Sequence, residues 1–302
     1  MILRSLCLAL LLAVPAVTQA ADLKMAITVD DLPVHGDLPP GETHVSVAKA
    51  FLAALNAAKA APVYGFINGV QNERAPGAAP VLTLWREAGH PLGNHGWSHL
   101  GLDGIDVATF ASELDRNDAV LAPLSGETDF RWFRFPFLNE GATPAKRAGA
   151  REELKARGYH IASVTVSFGD YAWNEPYARC MTKGDTAAVA DLETSFLQAA
   201  RDSLTYSRAM SAQLYGEDIP YVLLLHLGAF DARMAPRMLA LYQSMGVKLV
   251  SLQEAQSHPF YKADVDVSPS PAPASLESAM FARGLPLPAR SWDLAALDKV
   301  CR

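Results

Sequence analysis

Residues 24–68 read KMAITVDDLPVHGDLPPGETHVSVAKAFLAALNAAKAAPVYGFIN. The first seven (KMAITVD) are rich in strand formers and end in the first of two adjacent acids. Residues 45–59 are Ala-rich and helical in character, and residues 62–68 (PVYGFIN) return to strand. The same alternation continues along the chain. Helix is expected at 79–88, 106–121, 145–157, 186–214 and 235–245. Strand is expected at 90–94, 131–135, 159–166 (YHIASVTV), 221–225 (YVLLL) and 247–251. YVLLL is apolar at every position, as a strand buried on both faces should be. Strands alternating with helices imply parallel strands inside a layer of helices, and six to eight strands imply a closed or partly open barrel.

Composition bounds what such a fold can do. The chain has 302 residues, half of them hydrophobic, and a formal net charge of −6. No dense run of Lys or Arg occurs, so nucleic acid and anionic membrane surfaces are poor partners. Arg4, the apolar run 6–14, Pro15 and the small residues up to Ala20 form a secretory signal, too short for a membrane anchor. Cleavage after Ala20 removes one Arg and no acid, taking −6 to −7. Cys7 leaves with it. Cys180, in an expected loop after Trp173, and Cys301 remain, as a disulfide in an oxidising compartment or as two free thiols. The expected organisation is a signal at 1–20, a barrel domain at 21–260, and a Pro-rich linker (SPSPAPA at 268–274) and tail within 261–302 that packs back.

In a parallel barrel, working residues collect at the carboxyl ends of strands. Those ends carry Asp30-Asp31, then Asn94-His95-Gly96-Trp97-Ser98-His99, Arg134-Phe135-Pro136, Asp170 and His226. Histidines four apart lie on one face of a helical turn and can share an ion, though the spacing alone also fits two surface histidines. A Glu usually follows the first His of a zinc-protease helix; here Gly96 stands there, so a base must come from elsewhere. Asp30 and Asp31 supply a third ligand and a base, or else only cap a strand-to-loop turn. Serving one site requires the chain to leave strand geometry at Asp31, which Leu32-Pro33 makes feasible. Arg134, in an aromatic stretch, needs an anionic partner in Asp30 or Asp170. His226 ends the most apolar strand, as a site residue or a hydrogen-bonded core histidine. His35, His44, His90, His160 and His258 read as structural or surface residues.

This pattern resembles the polysaccharide deacetylase family (carbohydrate esterase family 4) over residues 24–255. Five motifs fall in order: Thr28-Val29-Asp30-Asp31, the His95–His99 segment, Arg134-Phe135-Pro136, Ser167-Phe168-Gly169-Asp170-Tyr171, and Leu223-Leu224-Leu225-His226. The resemblance implies an α/β fold, a distorted (β/α) barrel of parallel strands. It implies a divalent metal, zinc, held by Asp31, His95 and His99. Asp30 would take a proton from the attacking water, and His226 would protonate the leaving amine. Asp170 would raise the pKa of His226, Arg134 would orient Asp30, and the Phe137 N–H would hold the oxyanion. Trp97, Phe137, Tyr171 and Leu224 would wall the sugar and acetyl group. The implied substrate is an N-acetylated glycan, such as peptidoglycan or a chitin-like oligomer, met in the periplasm or outside the cell.

Three departures stand out. Leu32 replaces the usual Gly of the first motif, Gly141 comes late after Pro136, and Tyr171 replaces Trp. They alter the turn after the ligand, the oxyanion loop and the groove wall. Two other readings keep the fold: a metal-independent hydrolase of small amides, and a catalytically silent glycan-binding module. The intact ligand trio opposes the first, and the retained acid–base residues oppose the second.

Overall fold

The computed structural model describes residues 22–302; the segment 1–20, expected to be a signal, lies outside the described residues. Among the described residues seven strands form the sheet: β1 (Lys24–Leu32), β2 (Tyr64–Ile67), β3 (Leu92–Asn94), β4 (Trp132–Phe133), β5 (His160–Ile161), β6 (Tyr221–His226) and β7 (Lys248–Val250). Their order is β5-β4-β3-β2-β1-β6, with β7 on β1, and every pairing is parallel. Parallel neighbours need long crossovers, and helices supply them. The major ones are His44–Ala57, Pro80–Glu87, Val107–Ser125, Pro144–Ala156, Thr186–Tyr215 and Ala229–Ser244. Beyond β5 the chain swings across to β6, where Val166 bridges Leu223. That single bridge curls the sheet into a distorted barrel, as the motifs imply. Met25, Ala26 and Val29 of β1 are completely buried, as are Val222, Leu223 and Leu225 of β6.

Three elements differ from expectation. The strand expected over 159–166 stops at Ile161. There the Gln256 side chain takes the place of a neighbouring strand, accepting from Ser163 N and donating to Ile161 O. Thr165 and Val166 then donate their N–H groups to Val222 O, while Thr165 Oγ1 accepts from Val222 N. Cys180 sits on a helix, Asn174–Lys183, instead of in a loop. Pro176 is in that helix's first turn, where a missing N–H costs nothing. The helix expected from 235 begins at Ala229, because the Asn174 side chain reaches over to accept from Phe230 N.

The C-terminal segment is fastened to the barrel. Tyr261 and Asp264, assigned from composition to the linker, are core residues, and helix Leu276–Ala282 buries Leu276 and Met280. A disulfide joins Cys180 to Cys301 across 121 positions. Arg151 binds both Glu140 (3.0 Å) and Asp264 (2.5 Å) in a buried cluster. Burial, and then the charge of Asp264, push the Glu140 carboxyl up to about 7, with Arg151 offsetting only part.

A raised carboxyl holds its proton in the folded chain at pH values where the unfolded chain has lost it. Stability contributed by Glu140 is therefore full below its ordinary value of 4.5 and falls as pH rises to about 7. Glu140→Gln should remove this decline. Thermal melts of variant and wild type should coincide near pH 5 and separate by pH 7.5, the variant melting higher. Equal pH slopes would refute the assignment.

Candidate active site

Consecutive residues of a regular strand face opposite ways, yet Asp30 and Asp31 open into the same cavity. The strand breaks its own alternation to do this. Val29 pairs Gly65 and Leu32 pairs Ile67, so three steps on β1 match two on β2, a bulge. Asp31 within it has φ 62°, and Leu32–Pro33 follows in cis. The departure from strand geometry required at Asp31 is present. The cavity, of about 410 Å³, also receives His35, His95, His99 and His226.

His95 and His99 are not on a helical turn as their spacing suggested. Residues 95–99 are a loop with left-handed backbone at Gly96 (φ 74°) and His99 (φ 56°). Buried side chains shape it. Asn68 Nδ2 donates to His95 O and Gly96 O, Asn94 Oδ1 accepts from Gly96 N, and Glu113 accepts from Ser98 N and Oγ. His95 Nδ1 donates to Arg134 O at 2.7 Å, so its Nε2 faces the cavity as a lone pair.

Arg134 has found its anion in Asp30. The completely enclosed guanidinium donates to Asp30 Oδ1 (3.1 Å) and Oδ2 (3.2 Å), to Thr28 Oγ1 (3.0 Å) and to Ala162 O (2.6 Å). On the opposite side, Asp170 Oδ1 accepts from His226 Nδ1 (3.0 Å) and Oδ2 from His226 N (2.6 Å). Burial alone would lower the His226 pKa; the charge and hydrogen bond of Asp170 outweigh it and push it up to about 10. Asp231 lies behind Asp170. Burial and the charge of Asp170 raise its carboxyl, while Asn174 Nδ2 binds its Oδ2 at 2.7 Å.

Between these two pairs stands Asp31. Its Oδ1 is buried without a hydrogen-bond partner, 3.4 Å from His95 Nε2 and 3.3 Å from His99 Nε2. An enclosed carboxylate oxygen left bare is costly, and a cation among those three atoms would remove the cost. Two imidazole nitrogens and one carboxylate oxygen are a ligand set suited to a divalent ion with positions left open. The residues fit a metal.

His35, read from sequence as structural or surface, also belongs here. Its Nδ1 donates to Asp31 Oδ2 at 2.9 Å, and its ring lies 4.6 Å from that of His226. Asp231, too, escaped the sequence reading, although it sits five residues past His226 on the next helix.

Phe137, Tyr171 and Leu224 line the cavity, with Phe137 edge-on to His99 (4.4 Å) and Tyr171 to His226 (5.3 Å). Trp97 does not. Following the left-handed Gly96, it turns inward beneath the Arg116 guanidinium, 4.4 Å from its ring, and packs so tightly on Gly69 that a Cβ there would lie 2.5 Å away. The late glycine after Pro136 is compensated locally. Phe137 and Leu138 take left-handed backbone themselves (φ 58° and 53°), and Asn139 clasps Asp103 through Nδ2 (2.6 Å) and Oδ1 (3.0 Å).

Residues 19–162 match the family model described as polysaccharide deacetylase. A chitin deacetylase of a Pestalotiopsis species is 26% identical over 106 residues, covering 35% of this chain and 33% of that protein. One from Arthroderma benhamiae is 27% identical over 111 residues, 37% of this chain and 28% of that protein. The matched stretch thus spans about a third of these relatives' length. Among solved structures, the chitin deacetylase of Colletotrichum lindemuthianum superposes with a TM-score of 0.54 at 18% identity, covering 78% of this chain and 89% of that one. A CE4 family pseudoenzyme from Bacillus anthracis gives 0.54 at 13% identity, covering 78% and 66%. Residues 19–162 are thus similar to the polysaccharide deacetylase family, and the chain shares the fold of these two solved structures.

Proposed function

We propose that this protein is a metal-dependent hydrolase that removes acetyl groups from an N-acetylated glycan outside the cytoplasm. One observation carries the reading: the bare Asp31 Oδ1 facing two imidazoles, flanked by the Asp30–Arg134 and His226–Asp170 pairs. Asp31, His95 and His99 would hold the ion, zinc by the nature of the donors. When bound, it supplies Lewis acidity to the amide carbonyl and lowers the pKa of water.

The chain's own groups do the rest. Asp30, fixed by Arg134, accepts a proton as water oxygen attacks the acyl carbon. The Phe137 N–H would hold the developing oxyanion. His226, kept protonated by Asp170, gives its proton to the amine nitrogen as the C–N bond breaks. Acetate and a free amino sugar result. Phe137, Tyr171 and Leu224 would wall the sugar, Trp97 acting only as a support for the histidine loop. Residues 21–260 would form the catalytic domain, with 261–302 laid against it.

Export is supported by the Cys180–Cys301 disulfide, which suits an oxidising compartment. Among the described residues no helix is long and apolar enough to cross a membrane. The test is acetate release from N-acetylglucosamine oligomers and from peptidoglycan fragments. Release should require a divalent ion, stop with chelator, and return with zinc. Release unaffected by thorough chelation would instead favour the metal-independent amidase reading, and no release from any N-acetylated glycan would reject the deacetylase.

A further inference from the structure

We propose that His35 is a positioning residue for Asp31: its donation to Oδ2 turns Oδ1 toward His95 and His99 and keeps the carboxylate a one-oxygen ligand. The inference rests on the metal site proposed above and assigns a role to a residue outside the five motifs.

The two oxygens of Asp31 are unequal. Oδ2 accepts from His35 Nδ1 at 2.9 Å, whereas Oδ1 has no donor. Two groups of potential ligands share this carboxylate, one with His95 and His99 and the other with His35 and His226. The hydrogen bonds choose between them. His35 Nδ1 is already spent on Oδ2, and His226 Nε2 stands 4.0 Å from that same oxygen. Only the Oδ1 side leaves a carboxylate oxygen bare between two imidazole nitrogens.

The His35 ring is itself confined. It packs 4.6 Å from the His226 ring and 6.3 Å from that of Tyr171, so its donor is aimed and not free to wander. A ligand carboxylate without such a partner can rotate or bind through both oxygens. Partners of this kind are worth about 10- to 100-fold in metal affinity.

The experiment compares wild type, His35→Ala and His35→Gln as full-length proteins. Zn2+ affinity is read by competition with a chromophoric chelator, and site geometry by the Co2+ absorption spectrum. His35→Ala should weaken zinc by about 10- to 100-fold, keep one equivalent per chain, and alter the Co2+ bands. His35→Gln, which retains an N–H donor, should recover part of the affinity. Melting curves of the metal-free proteins separate this effect from loss of fold. Unchanged affinity in His35→Ala, or His35→Gln as weak as His35→Ala, overturns the proposal. So does wild type binding two equivalents where His35→Ala binds one, since His35 would then be a ligand. A wild type that binds no zinc removes the metal site itself, a failure distinct from the others.

Discussion

Asp30→Asn should lower acetate release by about 100- to 10,000-fold, the range a positioned proton acceptor contributes, with zinc content unchanged. Asparagine keeps the size of the side chain, and its carbonyl oxygen still accepts from Arg134. What it loses is the ability to take a proton. Asp31 and the two imidazoles are untouched, so the ion should bind as before. The loss should fall on kcat, with KM nearly constant, because Asp30 binds no part of the sugar in this account. Acetate assays paired with metal analysis check both halves. A rate within tenfold of wild type would show that protons leave the attacking water by another route.

Arg134→Ala should cost about 3–5 kcal/mol of stability, the usual penalty for breaking a buried ion pair by removing one partner. Asp30 would be left as a buried charge, only 2% exposed, and Thr28 Oγ1 and Ala162 O would lose their shared donor. Arg134→Lys should rescue little, since one ammonium cannot span three partners held by a planar fork. Asp30→Asn offers a control: with the partner already neutral, Arg134→Ala should cost less in the Asp30→Asn background than it does alone. Denaturant midpoints measure all three. Strict additivity would mean that Asp30 and Arg134 are not energetically coupled.

Much of this was legible in the sequence because strand ends in a parallel barrel have one destination. Apolar runs such as YVLLL set the strands, and whatever polar residue follows each run must emerge at the same rim. Asp30, Arg134, Asp170 and His226 could therefore be grouped before any distance was known. The bulge at Asp31 was inferable from two adjacent acids before a proline. What escaped depends on contacts between distant segments. His35 lies beyond a turn whose direction local sequence does not encode, and Asp231 acts through Asp170, 61 positions earlier. Trp97 was misjudged because left-handed backbone at Gly96 reverses the outlook of its neighbour. The strand at 159–166 failed as one element because a glutamine nearly a hundred residues away satisfies its hydrogen bonds.

Crystals grown with zinc and measured at its absorption edge give the most direct test. The account predicts one anomalous peak per chain, about 2.0–2.2 Å from Asp31 Oδ1, His95 Nε2 and His99 Nε2, with His35 still on Oδ2. A peak centred between His35 and His226, or none at any zinc concentration, would contradict it.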